Sequence, residues 1–457
     1  MESMKPLVLS KVVENDLCIG CGACVQTCPS KALNVDWNSY GFLIATSNEN
    51  QCDEGGSCIE VCPFNPEPGP GYKNEDGLAA DFLAEAPNYH LQMGRYHALY
   101  VGYSHKHRVT SSSGGVATFV YEKLFDKGLI DHVVTVGESK PSNAHYQYKI
   151  VSNKNDLLSI SKTRYHPVTL ATALQEIKQL EGRVAISGIG CFIKAIRLAQ
   201  DKDPVLKDKI AFLVGIICGG VKSKFFTDYL AGRAGATLDD FSNPEYRVKE
   251  PSSTAIDYGF SCTDNPSKTT KLIKMREVGD MWGSGLFKAN ACDFCDDVTT
   301  ELADISLGDA WLKPYNQDGS GHNVIISRSN IADQILHDGL KSGELDLEYL
   351  SQEQFLASQQ GSFNHRHDGM STRLALVKGD GYVVPPKRIE KIDLPIYLKL
   401  VQRLRRHTRS RSLEVWAEYK DPVEFDRRMK VELLKLKLAT RLSHAVRKAK
   451  KVSGTKS

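Results

Sequence analysis

The run Cys18-x2-Cys21-x2-Cys24-x3-Cys28-Pro29 has the spacing with which bacterial ferredoxins hold iron–sulfur clusters. In that pattern the first three thiolates grip one cubane and the fourth reaches a neighbouring cluster. A tight loop suits three corners of one cube. Gly20 and Gly22 let the backbone close around it and aim amides at the sulfides, and Pro29 turns the chain away. A zinc knuckle is the structural alternative, but it normally pairs two CxxC units, so the spacing predicts a ferredoxin-type 4Fe-4S cluster.

A second run, Cys52-x5-Cys58-x3-Cys62-Pro63, aligns with the first except that Gly55 stands where a second cysteine belongs. Cys62 is then expected to complete the first cluster with Cys18, Cys21 and Cys24. Cys28, Cys52 and Cys58 are left with three thiolates for a second. Three ligands suit a 3Fe-4S cluster, or a four-iron cluster whose last corner is held by Asp53, Glu54 or water; the bland alternative is a half that has lost its metal.

Four further cysteines fall near predicted element ends: Cys191, Cys218, and Cys292 with Cys295 in Ala291-Cys292-Asp293-Phe294-Cys295-Asp296. Cys191 and Cys218 follow predicted parallel strands at the carboxyl edge, where α/β sheets collect ligands. Four thiolates from three loops can form a third, all-cysteine cluster site. The alternative is that Cys191 and Cys218 are ordinary buried thiols. Cys262 has no partner by spacing and reads as structural. With twelve cysteines in a chain expected to be cytoplasmic, clustered spacing favours metal over disulfides.

The elements that must position these residues are legible in the apolar periodicity. Strands are predicted at His132–Gly137, Arg183–Ile189 and Ala211–Ile217, and helices at Leu170–Leu180, Ile193–Gln200 and Ser223–Ala234, an α/β alternation. Residues 236–330 lean toward β structure. The Pro- and Gly-rich stretch Pro63 to Gly71 marks a linker. The longest apolar run, Ala211 to Val221, is roughly half the ~20 residues of a membrane helix.

Two features suggest anion binding. Ser111, Ser112, Ser113, Gly114 and Gly115 precede an amphipathic run, so their amides and hydroxyls would sit at a helix start that attracts phosphate, or would merely cap it. Lys162, Arg164 and His166 form a basic loop, suited to an anionic cofactor or simply solvated. The formal net charge is +3, yet residues 399–457 hold 18 Lys and Arg against 6 Asp and Glu, leaving the remainder acidic. In that tail Leu433, Leu434, Leu438, Leu442, Ala445 and Val446 make an apolar stripe on a basic helix. Such a helix fits an anionic membrane surface or an acidic partner, or packs on its own domain. A nucleic-acid partner is not expected.

Together these segments resemble the family of coenzyme F420 hydrogenase/dehydrogenase beta subunits, whose relatives include the plant reductase of hydroxymethyl chlorophyll. The likeness runs from Cys18 to about Arg328. It rests on Arg108 to Gly115, Ser187-Gly188-Ile189-Gly190-Cys191, Ile217-Cys218-Gly219-Gly220, Ala291 to Cys295, and Leu302 to Trp311. One departure is Gly190, where relatives often carry Pro. The resemblance implies FAD, bound by Ser112, Ser113, Gly114, Gly115, Lys162, Arg164, Gly188 and Gly190, with a cluster on Cys191, Cys218, Cys292 and Cys295 beside it. The expected fold is α+β: a ferredoxin-like domain (1–65), a linker (66–95), an α/β flavin-binding part (96–235), a β-rich cluster-binding part of the same domain (236–385), and a basic helical tail (386–457). The expected function is an iron–sulfur flavoprotein oxidoreductase, cytoplasmic or peripheral to a membrane. It would pass electrons between its clusters, FAD and a redox protein or two-electron small molecule, F420 or another. The rivals are an electron-transfer subunit with no substrate of its own and an accessory protein of a polysaccharide gene cluster.

Overall fold

The computed structural model describes residues 5–48, 52, 56–139, 144–389 and 391–452; Asp53, Glu54 and Gly55 lie outside the described residues. Each N-terminal cysteine run enters a one-turn helix, Ala23–Thr27 or Ser57–Glu60, through a glycine in the left-handed region, Gly22 at φ +78 and Gly56 at φ +66. A side chain there would be strained. The antiparallel hairpin of β1 (Leu33–Trp37) and β2 (Leu43–Ser47) backs the first run. The buried residues Leu17, Ala23, Ala45 and Val61 of this N-terminal part belong to the same apolar cluster as Leu174, Ile193 and Ile196 of the larger part, so the two parts share one core.

Residues 66–95 contain a helix, Glu75–Phe82, capped by Asn74, and a hairpin of β3 (Asn88–His90) and β4 (Gly94–Tyr96). The strands that follow are β5 (Ala98–Ser104), β6 (His132–Glu138), β7 (Tyr146–Val151), β8 (Val184–Ile189), β9 (Ile210–Ile216), β10 (Phe241–Val248), β11 (Gly259–Asp264), β12 (Thr269–Lys274), β13 (Ile305–Asp309), β14 (Asn323–Ser327) and β15 (Leu345–Tyr349). β10 to β12 form an antiparallel sheet of their own; the others build an eight-stranded sheet in the order β15-β5-β14-β13-β9-β8-β6-β7. The inner strands β6, β8, β9 and β13 run parallel, and β8 and β9 read as near-continuous apolar runs because helices cover both faces. Helices Ala171–Gln179 and Gly190–Lys202 cover one face; Val116–Asp126 and Asn330–Lys341 cover the other. Since β13 to β15 join this sheet, the segments on either side of residue 235 are parts of one unit.

The helix after β8 begins at Gly190, three residues before the apolar period does. Gly188 and Gly190 break the hydrophobic repeat without breaking the helix start. Beyond residue 395 the tail folds as two helices, Ile396–Tyr419 and Pro422–Val452. Trp416, Phe425 and Met429 pack it against Tyr229 and Phe287. The apolar stripe divides: Leu433 turns inward, whereas Leu434, Leu438 and Leu442 are more than half exposed. No helix among the described residues is long and apolar enough to cross a membrane.

Candidate iron–sulfur and cofactor sites

The twelve cysteines are free thiols, and eleven of them fall into three groups. Cys18, Cys21, Cys24 and Cys62 line one pocket with Leu17, Ala45 and Phe64. Burial raises the thiols of Cys24 and Cys62, and their neighbours' charges raise them further; Cys21 is pushed up to about 12 by burial and Cys18. Without a metal these desolvated thiols stay protonated, and binding one releases the protons. The backbone is arranged for sulfur: the amides of Gly20 and Ala45 point at Cys18 Sγ at 3.5 and 3.4 Å, and that of Ala32 at Cys28 Sγ at 3.3 Å. Cys58 is raised by burial and then by Cys28 and Cys52, which assembles the three-thiol group. Among the described residues no set of three His, Cys, Asp or Glu side chains is arranged to hold a single metal ion; a cubane needs no such convergence, because each thiolate binds its own iron.

The third group is drawn together from distant elements. Cys191 sits in the first turn of helix Gly190–Lys202, Cys218 two residues past the end of β9, and Cys292 and Cys295 on and just after the 3-10 turn Asn290–Phe294. Cys191 is raised well above the ordinary thiol range by burial and then by Cys295, Cys292 and Cys218. The amides of Gly220 and Val221 point at Cys218 and Cys292 Sγ, both at 3.2 Å. Arg366, buried, brings Nη1 to 3.5 Å from Cys295 Sγ and donates to the carbonyls of Asp297 and Cys218. No spacing rule pointed to this arginine; the only hint was the basic run His365-Arg366-His367. Cys262 lies on β11 inside the core, apart from the three groups.

The first and third groups adjoin. The Leu170 amide donates to the Cys21 carbonyl at 2.8 Å. A Cβ on Gly22 would stand 2.3 Å from Thr169 Oγ1 and 2.8 Å from the Ala171 amide nitrogen, so only glycine permits this approach. Tyr148 donates to the Ser187 carbonyl at 3.0 Å. Its hydroxyl is raised by burial, then by Tyr121, Cys191 and Cys21. Cys21 also raises Cys191 directly.

The candidate flavin residues separate into two neighbourhoods. Ser112 Oγ accepts from the Thr163 amide at 2.9 Å, Ser113 Oγ donates to the His322 carbonyl at 3.0 Å, and Gly115, at φ +81, caps helix Val116–Asp126. Gly114 abuts Asn323. Lys162 pairs with Glu245 at 2.7 Å, and Arg164 lies 4.9 Å over the Tyr146 ring. Ser111 Oγ and Arg164 Nε are buried with no hydrogen-bond partner, the condition of a polar cradle awaiting an acceptor. No local sequence pattern marks Arg247 and Lys249, on and just after β10, which reach the Ser112 and Ser113 carbonyls. Lys249 is lowered to about 7 by burial and by Arg108, Lys162 and Arg247. Gly188 and Gly190 lie elsewhere, beside the third cysteine group. A Cβ on Gly190 would meet Asp297 Oδ2 at 2.5 Å.

Residues 99–175 and 181–353 match the two halves of the family described as coenzyme F420 hydrogenase/dehydrogenase, beta subunit, and residues 17–65 match a 4Fe-4S dicluster domain. The chain is 22% identical over 336 residues to one of the subunits of the F(420)H(2) dehydrogenase of Methanosarcina mazei, a match covering 72% of this chain and 84% of that protein. It is 23% identical over 361 residues to the coenzyme F420-dependent sulfite reductase of Methanocaldococcus jannaschii, covering 74% of this chain but only 49% of that longer protein. The N-terminal part is 44% identical over 52 residues to a ferredoxin of Pyrobaculum islandicum, 11% of this chain and 45% of that one.

Proposed function

The chain belongs to the family of coenzyme F420 hydrogenase/dehydrogenase beta subunits, and on that premise we propose that it exchanges electrons between ferredoxin-type clusters, FAD and a small two-electron partner such as F420. It carries an iron–sulfur dicluster domain, and its relatives are oxidoreductases or their subunits. The observation that carries the finer reading is the adjacency of Cys21 and Cys191, which joins the ferredoxin part to the third cysteine group.

In this reading Cys18, Cys21, Cys24 and Cys62 hold one 4Fe-4S cluster, and Cys28, Cys52 and Cys58 hold a second with three thiolates. Cys191, Cys218, Cys292 and Cys295 hold the third. A flavin exchanges two electrons with an organic partner while iron–sulfur clusters move them singly, which is the chemistry the bound groups would supply. The Ser112 to Gly115 turn, with Lys162, Arg164 and Lys249 around it, would bind the FAD pyrophosphate; the orphaned Ser111 hydroxyl and Arg164 Nε favour an acceptor there. Arg366 holds the Cys218 and Asp297 carbonyls in place and offsets thiolate charge at Cys295.

The Methanosarcina relative is by name one component of a dehydrogenase, which also favours a redox protein as partner. The exposed Leu434, Leu438 and Leu442 among Lys430, Lys437 and Arg441 suit an anionic membrane surface or acidic partner. The deciding experiment is anaerobic purification with iron, sulfide and released flavin measured together. Iron-replete protein that yields no FAD and binds none on addition would remove the flavin from this account, and a chain that neither reduces nor oxidises F420 or any small acceptor alone would favour the reading as an electron-transfer subunit.

A further inference from the structure

Beside the third cysteine group lies a pocket of about 420 Å³, within the range of small-molecule sites. Gly219, next to Cys218, forms part of its floor, and Trp282 and Trp311 form apolar walls. The rest of the lining joins neutral residues, Ala357 to Ser362 with Gln402, to a cationic group. Arg366, Arg373, Arg405, Arg406 and Arg409 make up that group with Lys288, against the single carboxylate Asp293 among the lining residues, while Arg406 is paired with Asp380 outside the pocket. Most of this lining comes from residues beyond 353, where the family match ends, so membership of the family does not account for it.

The tail helix Ile396–Tyr419 builds the cationic face. Arg405 and Arg409 stand one turn apart on it and therefore on one side. Asp293 is already engaged, 2.7 Å from Lys288 and 3.5 Å from Arg409 Nε. Arg373 is committed to the carbonyls of Asp293, His365 and Arg366. Arg405 Nε is buried with no hydrogen-bond partner, though its Nη1 lies 3.4 Å from His365 Nδ1, and Arg409, only 5% exposed, makes no hydrogen bond through Nε and has only the Asp293 carboxylate, shared with Lys288, at 3.5 Å. Buried guanidiniums with unspent donors on the wall of an open pocket are costly unless an acceptor of opposite charge enters.

We propose that this pocket binds a small oxyanion, the carboxylate or phosphate group of a compact ligand whose body lies against Trp282 and Trp311. The site stands on its own geometry; its redox meaning, as the place of the two-electron partner's acidic group beside the third cluster, rests on the functional reading above.

The test is calorimetric titration of anaerobically prepared full-length protein with pyrophosphate and with citrate at constant ionic strength. A saturable site that depends on Arg405 is expected for both probes, separate from any pyrophosphate binding at Ser112 to Gly115. Arg405→Gln should weaken it at least about tenfold, the worth of a charge-assisted contact, whereas the charge-matched Arg427→Gln, on the exposed side of helix Pro422–Val452, should leave it unchanged. Absence of saturable binding of both probes up to the order of 10 mM, or equal weakening by the two variants, would overturn the inference. Iron content and electron transfer are read in the same samples. Oxyanion binding without electron transfer supports this site and sinks the proposed function, and electron transfer without binding does the reverse.

Discussion

The 2.8 Å hydrogen bond from the Leu170 amide to the Cys21 carbonyl fastens the ferredoxin-type loop to the start of helix Ala171–Gln179, at the place where Cys21 comes near Cys191. Gly22 makes this docking possible. Gly22→Ala would force a side chain into a backbone at φ +78, against Thr169 and Ala171. The strained backbone alone costs about 1–2 kcal/mol, and the contact adds to it. The variant should keep its cysteines and its iron but melt earlier and lose rapid electron exchange between the two parts, measured by calorimetry and by stopped-flow reduction. Unchanged exchange would show that the docking is incidental.

The third cysteine group predicts an iron count. Cys292→Ser in the full chain should lower bound iron by about four atoms while the ferredoxin-type signals persist, because Cys292 and Cys62 belong to separate groups. Unaltered iron and sulfide would mean that these four thiols are only a buried cluster of side chains.

The spacing of the cysteines was legible because metal ligation constrains residues close in sequence, and the division into Cys18, Cys21, Cys24, Cys62 against Cys28, Cys52, Cys58 follows from it. The α/β alternation was legible where helices and strands are amphipathic or wholly apolar, as at Ala171–Gln179 and β8. Arg366, Arg247 and Lys249 were not. Each acts through contacts roughly 70 to 140 residues away in sequence, which no local pattern encodes. The helix Glu75–Phe82 was hidden because its first turn carries Glu75 to meet Lys194 at 2.8 Å, a tertiary pairing that leaves little apolar period.

Lys249 would make the proposed flavin site pH-sensitive. Its folded value of about 7 lies below the roughly 10.4 of an unfolded lysine. Between these values the folded chain therefore binds fewer protons than the unfolded one. Lys249 opposes folding most below pH 7, and that opposition fades as pH rises toward 10.4. A pyrophosphate at Ser112 to Gly115 would draw the proton back, so FAD binding near pH 8 to 9 should take up about one proton and weaken as pH rises. Calorimetry in buffers of different ionisation enthalpy measures this. Lys249→Met should bind FAD less tightly and without the uptake, and a wild-type chain that takes up no proton would place the pyrophosphate elsewhere.

Gly55 predicts a labile corner in the second ferredoxin-type cluster. Because Cys28, Cys52 and Cys58 gather without a fourth thiol, the air-oxidised protein should show a three-iron paramagnetic signal. Gly55→Cys should abolish it and add about one iron per chain. A stable four-iron cluster at this position in the wild-type chain would mean that Asp53, Glu54 or solvent completes it.

The central claim, that the ferredoxin-type clusters and the Cys191 group form one electron path, is tested most directly by electron paramagnetic resonance of the anaerobic, dithionite-reduced full-length protein. The account predicts broadened spectra from magnetically interacting clusters, simplified to those of isolated ferredoxin-type clusters by Cys292→Ser. Spectra of non-interacting clusters in the wild-type chain, indistinguishable from those of the variant, would contradict it.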